Sequence, residues 1–171
     1  MGKRDEAVAI ASRKSQGTEV SFGDRTLKVK ALEFYYFSDV DICLMSAGGS
    51  VSKEWSPKIG ALGPIVIDNS SCWRYDAEVP LVVPEINADA IRQHQGIIAN
   101  PNCAAILSIT PLWPIHRVNP IRRLILSTYQ AASGAGAAAI STSWWARRTA
   151  TCTRGTAAAG GCPARSRRSR R

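Results

Sequence analysis

Asp41-Ile42-Cys43-Leu44-Met45-Ser46-Ala47-Gly48-Gly49-Ser50 is the stretch that decides the fold. The first five residues form an apolar run of buried-strand length, and the stretch from Ser50 to about Gly60 reads as a helix. Between them, Ser46 to Ser50 is a glycine turn. Strand, turn and helix in that order predict an α/β architecture, in which backbone N–H groups at the turn can approach a phosphate or a ribose. Taken alone the turn is a weak signal, because glycines join strands to helices in any α/β protein.

The same alternation continues on both sides. Pro64 to Asp68, Leu81-Val82-Val83 and Gly96 to Ala99 predict strands, Ala88 to Gln95 a helix, and Leu124 to Thr128 a further strand. Upstream, Asp5 to Lys14 reads as the end of a helix, and Val20 to Phe22 with Leu27 to Val29 as a hairpin around Gly23-Asp24. Gly134-Ala135-Gly136-Ala137-Ala138-Ala139 fits GxGxxA after a strand. The acidic residue expected about 20 positions later is absent, so this is no dinucleotide fingerprint.

Asn100-Pro101-Asn102-Cys103 carries the chemistry. It follows the strand ending at Ala99 and precedes Ala104-Ala105-Ile106-Leu107, which reads as the start of a helix. A cysteine there faces unpaired backbone N–H groups and the positive end of the helix dipole, the setting of a nucleophile. The plainer reading is a buried, inert cysteine, and position alone does not separate the two.

Composition sets the bounds. The 171 residues suffice for one domain, or for one domain and part of a second. With no apolar run of about 18 residues and no charged-then-apolar leader, the sequence is expected to be cytoplasmic and without a membrane span. Cys43, Cys72, Cys103, Cys152 and Cys162 lack CxxC or Cys/His ligand spacing, so thiols are expected rather than disulfides, and no metal site. The net charge of +9 is local in origin: of 22 lysines and arginines, eight arginines fall in residues 141–171, which hold no acid. Residues 1–140 carry the remaining 14 basic groups beside all 13 acidic ones. The tail reads either as a disordered basic arm that would bind phosphates nonspecifically, or as the product of an out-of-frame message. Nucleic acid is not the expected partner of the nearly neutral body.

Five blocks together resemble aspartate-semialdehyde dehydrogenase. They are Ser46-Ala47-Gly48-Gly49-Ser50; Ile67-Asp68-Asn69-Ser70-Ser71 with Arg74; Val82-Val83-Pro84-Glu85-Ile86-Asn87; Asn100-Pro101-Asn102-Cys103; and Thr128-Tyr129-Gln130-Ala131-Ala132-Ser133-Gly134-Ala135-Gly136. Their order and spacing match the family over about residues 8–140. The sister reductase acting on N-acetylglutamyl phosphate shares the architecture but usually has Gly where Asn102 stands.

The resemblance implies an incomplete Rossmann-like NADP-binding domain over residues 1–102, the start of an α+β catalytic and dimerisation domain over 103–140, and the basic tail over 141–171. It implies NADP-dependent interconversion of aspartyl 4-phosphate and aspartate 4-semialdehyde plus phosphate, on the way to lysine, methionine and threonine. Cys103 would be the nucleophile and form an acyl-thioester, and Gln130 would orient the acyl group. Arg74 would grip the substrate phosphate, and Asn102 would position it beside the thiol. Lys14 and Ser15 fall where the family has an Arg-Ser pair for the 2′-phosphate of NADP, with Arg13 the other candidate for the basic position. Ala47, Gly48, Ser133 and Gly134 match further cofactor positions.

The family's opening strand and glycine-rich phosphate loop, its basic histidine and its carboxylate-binding arginine have no counterpart here. The chain alone is therefore expected to show little activity and a partial dimer interface. His94 and His116 match no catalytic position and are expected to be structural or solvent-exposed. Pro111 is expected to kink the helix after Cys103. Two alternatives stand beside the enzyme: an inactive relative that binds a nucleotide or a partner, and a basic-tailed nucleic-acid binder.

Overall fold

The structure is a computed structural model that describes residues 7–129 and the backbone of residues 150–154. The described residues divide into two compact units, with the break between Trp113 and Pro114.

The first unit is built around a parallel three-stranded sheet, β5 (Ile42–Met45), β6 (Ile65–Asp68) and β7 (Ile97–Ala99), in that spatial order. β-Branched and apolar residues fill each strand, the composition of a buried parallel sheet. Helix α1 (Gly49–Ala61) makes the crossover from β5 to β6. Residues Phe37, Met45, Ile59, Val66 and Ile97 form the core, with Trp55 and Trp73 packed against it. The register is strict: Met45 pairs with Asp68 and Asp68 with Ala99, so the three strands end level. Backbone bonds carry the alignment one residue further, from Asn69 N to Met45 O (2.9 Å) and from Asn100 N to Asp68 O (2.8 Å). On β5, Ile42 and Leu44 remain 58% and 77% exposed, which leaves that part of the sheet uncovered within the described residues.

Two expectations are corrected here. The segment read as a helix end is extended: β1 (Ile10–Ala11) pairs in parallel with β4 (Lys30–Ala31), and a 3-10 turn follows at Arg13–Ser15. Pairing with β4 outweighs the helical propensity of its alanines and basic residues, which is a weak prior. The expected strand Leu81 to Val83 shrinks to one bridge, Leu81 with Ala99. Pro80 has no N–H to give, and the Asn87 side chain takes the Val83 N–H at 2.8 Å, so the ladder stops. Within the tail, the described backbone of Ala150–Arg154 forms β9, antiparallel to β8 (Ile125–Tyr129), with Ser127 opposite Cys152. Pairing satisfies backbone groups along β8, and the β-branched Thr151 and Thr153 favour a strand.

The hairpin is as expected, β2 (Glu19–Phe22) against β3 (Arg25–Lys28). The region expected to be helical at Ala88 to Gln95 is a 3-10 helix at Ala88–Gln93, preceded by one α-helical turn, α2 (Pro84–Asn87). Helix α3 (Cys103–Val118) runs through Pro111 and Pro114. Both histidines make local contacts: Nδ1 of His94 accepts from Gly96 N at 3.0 Å, and Nδ1 of His116 from Ile121 N at 3.1 Å. Among the described residues no helix is long and apolar enough to cross a membrane.

Candidate active site

Because β5, β6 and β7 end level, the segments that follow them emerge along one edge of the sheet, the carboxyl edge where α/β proteins bind ligands. Ala47 and Gly48 follow β5, Arg74 follows β6, and Asn102 and Cys103 follow β7.

Gly48 is the N-cap of α1, with φ 93° and ψ 162°. That conformation belongs almost wholly to glycine. Among the described residues, chain neighbours and the helix's own backbone aside, no atom lies within 4 Å of the position a Cβ would take at Gly48 or at Gly49. Among the described residues no side chain caps the helix either, so the turn presents backbone there. A nucleotide phosphate or ribose fits such a surface, since it needs N–H donors and close approach.

The loop after β6 is held from beneath by a buried polar cluster. Asp68 is fully buried. Its Oδ1 accepts from Ser70 N (2.7 Å) and Ser70 Oγ (2.6 Å), and its Oδ2 accepts from Ser52 Oγ on α1. Trp73 Nε1 donates to Ser52 Oγ at 2.8 Å, and Ser56 Oγ lies 2.9 Å from the same oxygen. One residue on, Arg74 Nε donates to Asn100 O at 2.9 Å and Arg74 Nη2 to Asn69 O at 3.0 Å. Asn100 Nδ2 donates to Asn69 Oδ1 at 2.8 Å, so the ends of β6 and β7 and the arginine form one hydrogen-bonded group.

Asn102 accepts from Ala104 N through Oδ1 at 2.9 Å, and its carbonyl accepts from Ile106 N at 3.0 Å. It therefore acts as the N-cap of α3. Cys103 opens that helix with an exposed side chain. Cys43, half-buried on β5, is the contrast: burial pushes its thiol pKa up.

The level strand ends thus bring Ala47, Gly48, Arg74, Asn102 and Cys103 to one edge. Lys14 and Ser15 follow a different parallel pair, on the 3-10 turn after β1. The Arg13 guanidinium sits over the Phe34 ring, 5.6 Å from its centroid, while Lys14 is exposed. Gln130, Ser133 and Gly134 lie outside the described residues. The sequence reading missed Ser52, Ser56 and Trp73. Their only signal was two serines four apart on one helix, a spacing shared by ordinary solvated positions.

A parallel sheet with a glycine turn, an anchored arginine and a helix-opening thiol on its carboxyl edge defines a Rossmann-like nucleotide-binding domain joined to the start of a thiol-bearing segment. Residues 3–94 match the family model described as semialdehyde dehydrogenase, NAD binding domain. The chain belongs to this family.

It is 51% identical over 139 residues to an aspartate-semialdehyde dehydrogenase of Aquifex aeolicus, covering 80% of this chain and 41% of that protein. Against the enzyme of that name from Synechocystis the figures are 47% over 135 residues, 79% and 40%. The crystal structure of aspartate semialdehyde dehydrogenase II from Vibrio cholerae complexed with ASA superposes with a TM-score of 0.73 at 44% identity, over 80% of this chain and 41% of that one. The chain spans about two fifths of the length of these relatives.

Proposed function

We propose that these residues are the nucleotide-binding part (1–102) and the opening of the catalytic part (103–140) of a cytoplasmic, dimeric aspartate-semialdehyde dehydrogenase that prefers NADP. The observation that carries this reading is the level carboxyl edge, which gathers Gly48, Arg74, Asn102 and Cys103. Ala47, Gly48 and the uncapped start of α1 would hold the nucleotide, with Lys14 and Ser15 toward a 2′-phosphate and Ser133 and Gly134 completing the contacts. The bound cofactor supplies or accepts the hydride.

In the reducing direction the Cys103 thiolate attacks the acyl carbon of aspartyl 4-phosphate. The C–O bond to phosphate breaks, phosphate leaves, and an acyl-thioester remains on Sγ. Arg74 and Asn102 steady the phosphate before and during its departure, and Gln130 orients the acyl group. A hydride from the cofactor held by Ala47, Gly48, Ser133 and Gly134 would reduce the thioester carbon and release Cys103 Sγ as a thiolate, giving the semialdehyde. The place in lysine, methionine and threonine synthesis follows from this reaction.

Incubating the chain with aspartyl 4-phosphate tests it. A hydroxylamine-sensitive adduct on the Cys103 peptide, absent from Cys103→Ser, is the expected result. Binding of NADPH without any adduct would overturn the enzymatic reading and leave a nucleotide-binding fragment.

A further inference from the structure

We infer that Ser52, Asp68 and Trp73 are positioning residues for Arg74: a buried hydrogen-bond relay from α1 through the end of β6 fixes the loop that carries the guanidinium. The inference rests on the role proposed for Arg74.

The relay uses every bonding position of one hydroxyl. A serine Oγ has one proton to donate and two lone pairs. Ser52 donates its proton to Asp68 Oδ2, and Trp73 Nε1–H occupies one lone pair. The remaining contact at 2.9 Å must then come from the Ser56 proton. Ser52 and Ser56 are fully buried, as is Asp68, so water does not compete for these positions. Asp68 also grips the loop through both the N–H and the hydroxyl of Ser70, and Ser70 Oγ accepts from Cys72 N at 3.1 Å. The loop is therefore pinned at Ser70, Cys72 and Trp73, leaving Arg74 short freedom before its own bonds to Asn69 O and Asn100 O. Ser52 also belongs to the first turn of α1, since its N–H bonds Gly48 O at 3.0 Å. One residue thus joins the glycine turn, through its backbone N–H, to the loop that carries the arginine, through its hydroxyl.

The test compares hydrogen exchange of Arg74 Nε–H, assigned by its absence in Arg74→Lys, between the full chain and its Trp73→Phe and Ser52→Ala variants. Trp73→Phe keeps a ring in the core and deletes only the donor. Exchange about tenfold faster in each variant is expected, as for loss of one bond of a cooperative set. Unchanged exchange in a folded variant overturns the relay. A measurement on the unaltered chain stands apart from any folding defect: under mild urea, Trp73 Nε1–H and Arg74 Nε–H should open together, and independent opening overturns it. Separately, inorganic phosphate should shield Cys103 from iodoacetamide in the unaltered chain and not in Arg74→Ala. Equal shielding in both would remove the phosphate role of Arg74, while the exchange rates still decide the relay.

Discussion

Arg74 donates from Nε to the carbonyl of Asn100 at 2.9 Å, which ties the arginine to the residue just after β7, three positions before Cys103. Its second bond, to Asn69 O, is possible only because a guanidinium presents several donors in one plane. Arg74→Lys should therefore behave as a loss rather than a conservative change, lowering stability by about 1–2 kcal/mol in urea unfolding. A lysine that left the unfolding midpoint untouched would show that the two carbonyl contacts contribute nothing.

Asn102 caps α3 through Ala104 N. Asn102→Ala should cost about 1 kcal/mol, and Asn102→Asp should recover most of it, because a carboxylate oxygen can accept the same bond. Thermal unfolding of the two variants side by side checks the order.

Cys43 on β5 and Cys103 at the start of α3 should differ in reactivity. Burial raises the pKa of Cys43, so less of it is thiolate near neutral pH, while Cys103 is exposed. Iodoacetamide at about pH 7.5 should modify Cys103 first, and Cys43 labelling should climb as pH rises past the ordinary thiol range. Peptide mass mapping gives both rates. The sign for stability follows: the unfolded chain loses the Cys43 proton at lower pH than the folded one, so this group's contribution is intact below the ordinary thiol pKa and declines as pH climbs above it.

Three glycines should rank by mechanism. A Cβ at Gly96 would meet both a φ of +95° and the Gly60 Cα at 3.3 Å. Gly48 carries strain alone, φ +93° with open space around it, and Gly60 carries only a 3.3 Å approach to Gly96 O. Gly48→Ala should cost about 1–3 kcal/mol. Gly96→Ala should cost more, and Gly60→Ala least, since alanine recovers about 1 kcal/mol of helix propensity. Urea midpoints of the three variants settle the order.

The sheet and its turns were legible because period and punctuation agree there: Ile42 to Met45 is uniformly apolar, Gly48-Gly49 follows, and Ile65 to Asp68 repeats the run. β1 was not, since two residues of pairing leave no periodicity, and Arg13-Lys14 resembles a charged helix end. β9 was hidden for a related reason: the partner that makes Ala150 to Arg154 a strand is β8, far away in sequence. At the edge, Cys103, Arg74, Asn102 and Gly48 announced themselves through their motifs. The serines beneath them gave no sign, because burial of Ser52 and Ser56 is decided by Asp68, which reaches α1 only after the chain has folded.

The pairing of Met45 with Asp68 and of Asp68 with Ala99 makes the sheet a ruler for chemistry. Each strand residue advances the chain by about 3.3 Å and turns its side chain to the other face. A slip of one notch in β6 would carry Asp68 off the serines, shift the arginine loop by a residue's length, and part it from the thiol. Misalignment of apolar side chains well inside the sheet would therefore first become visible as chemistry lost at its rim.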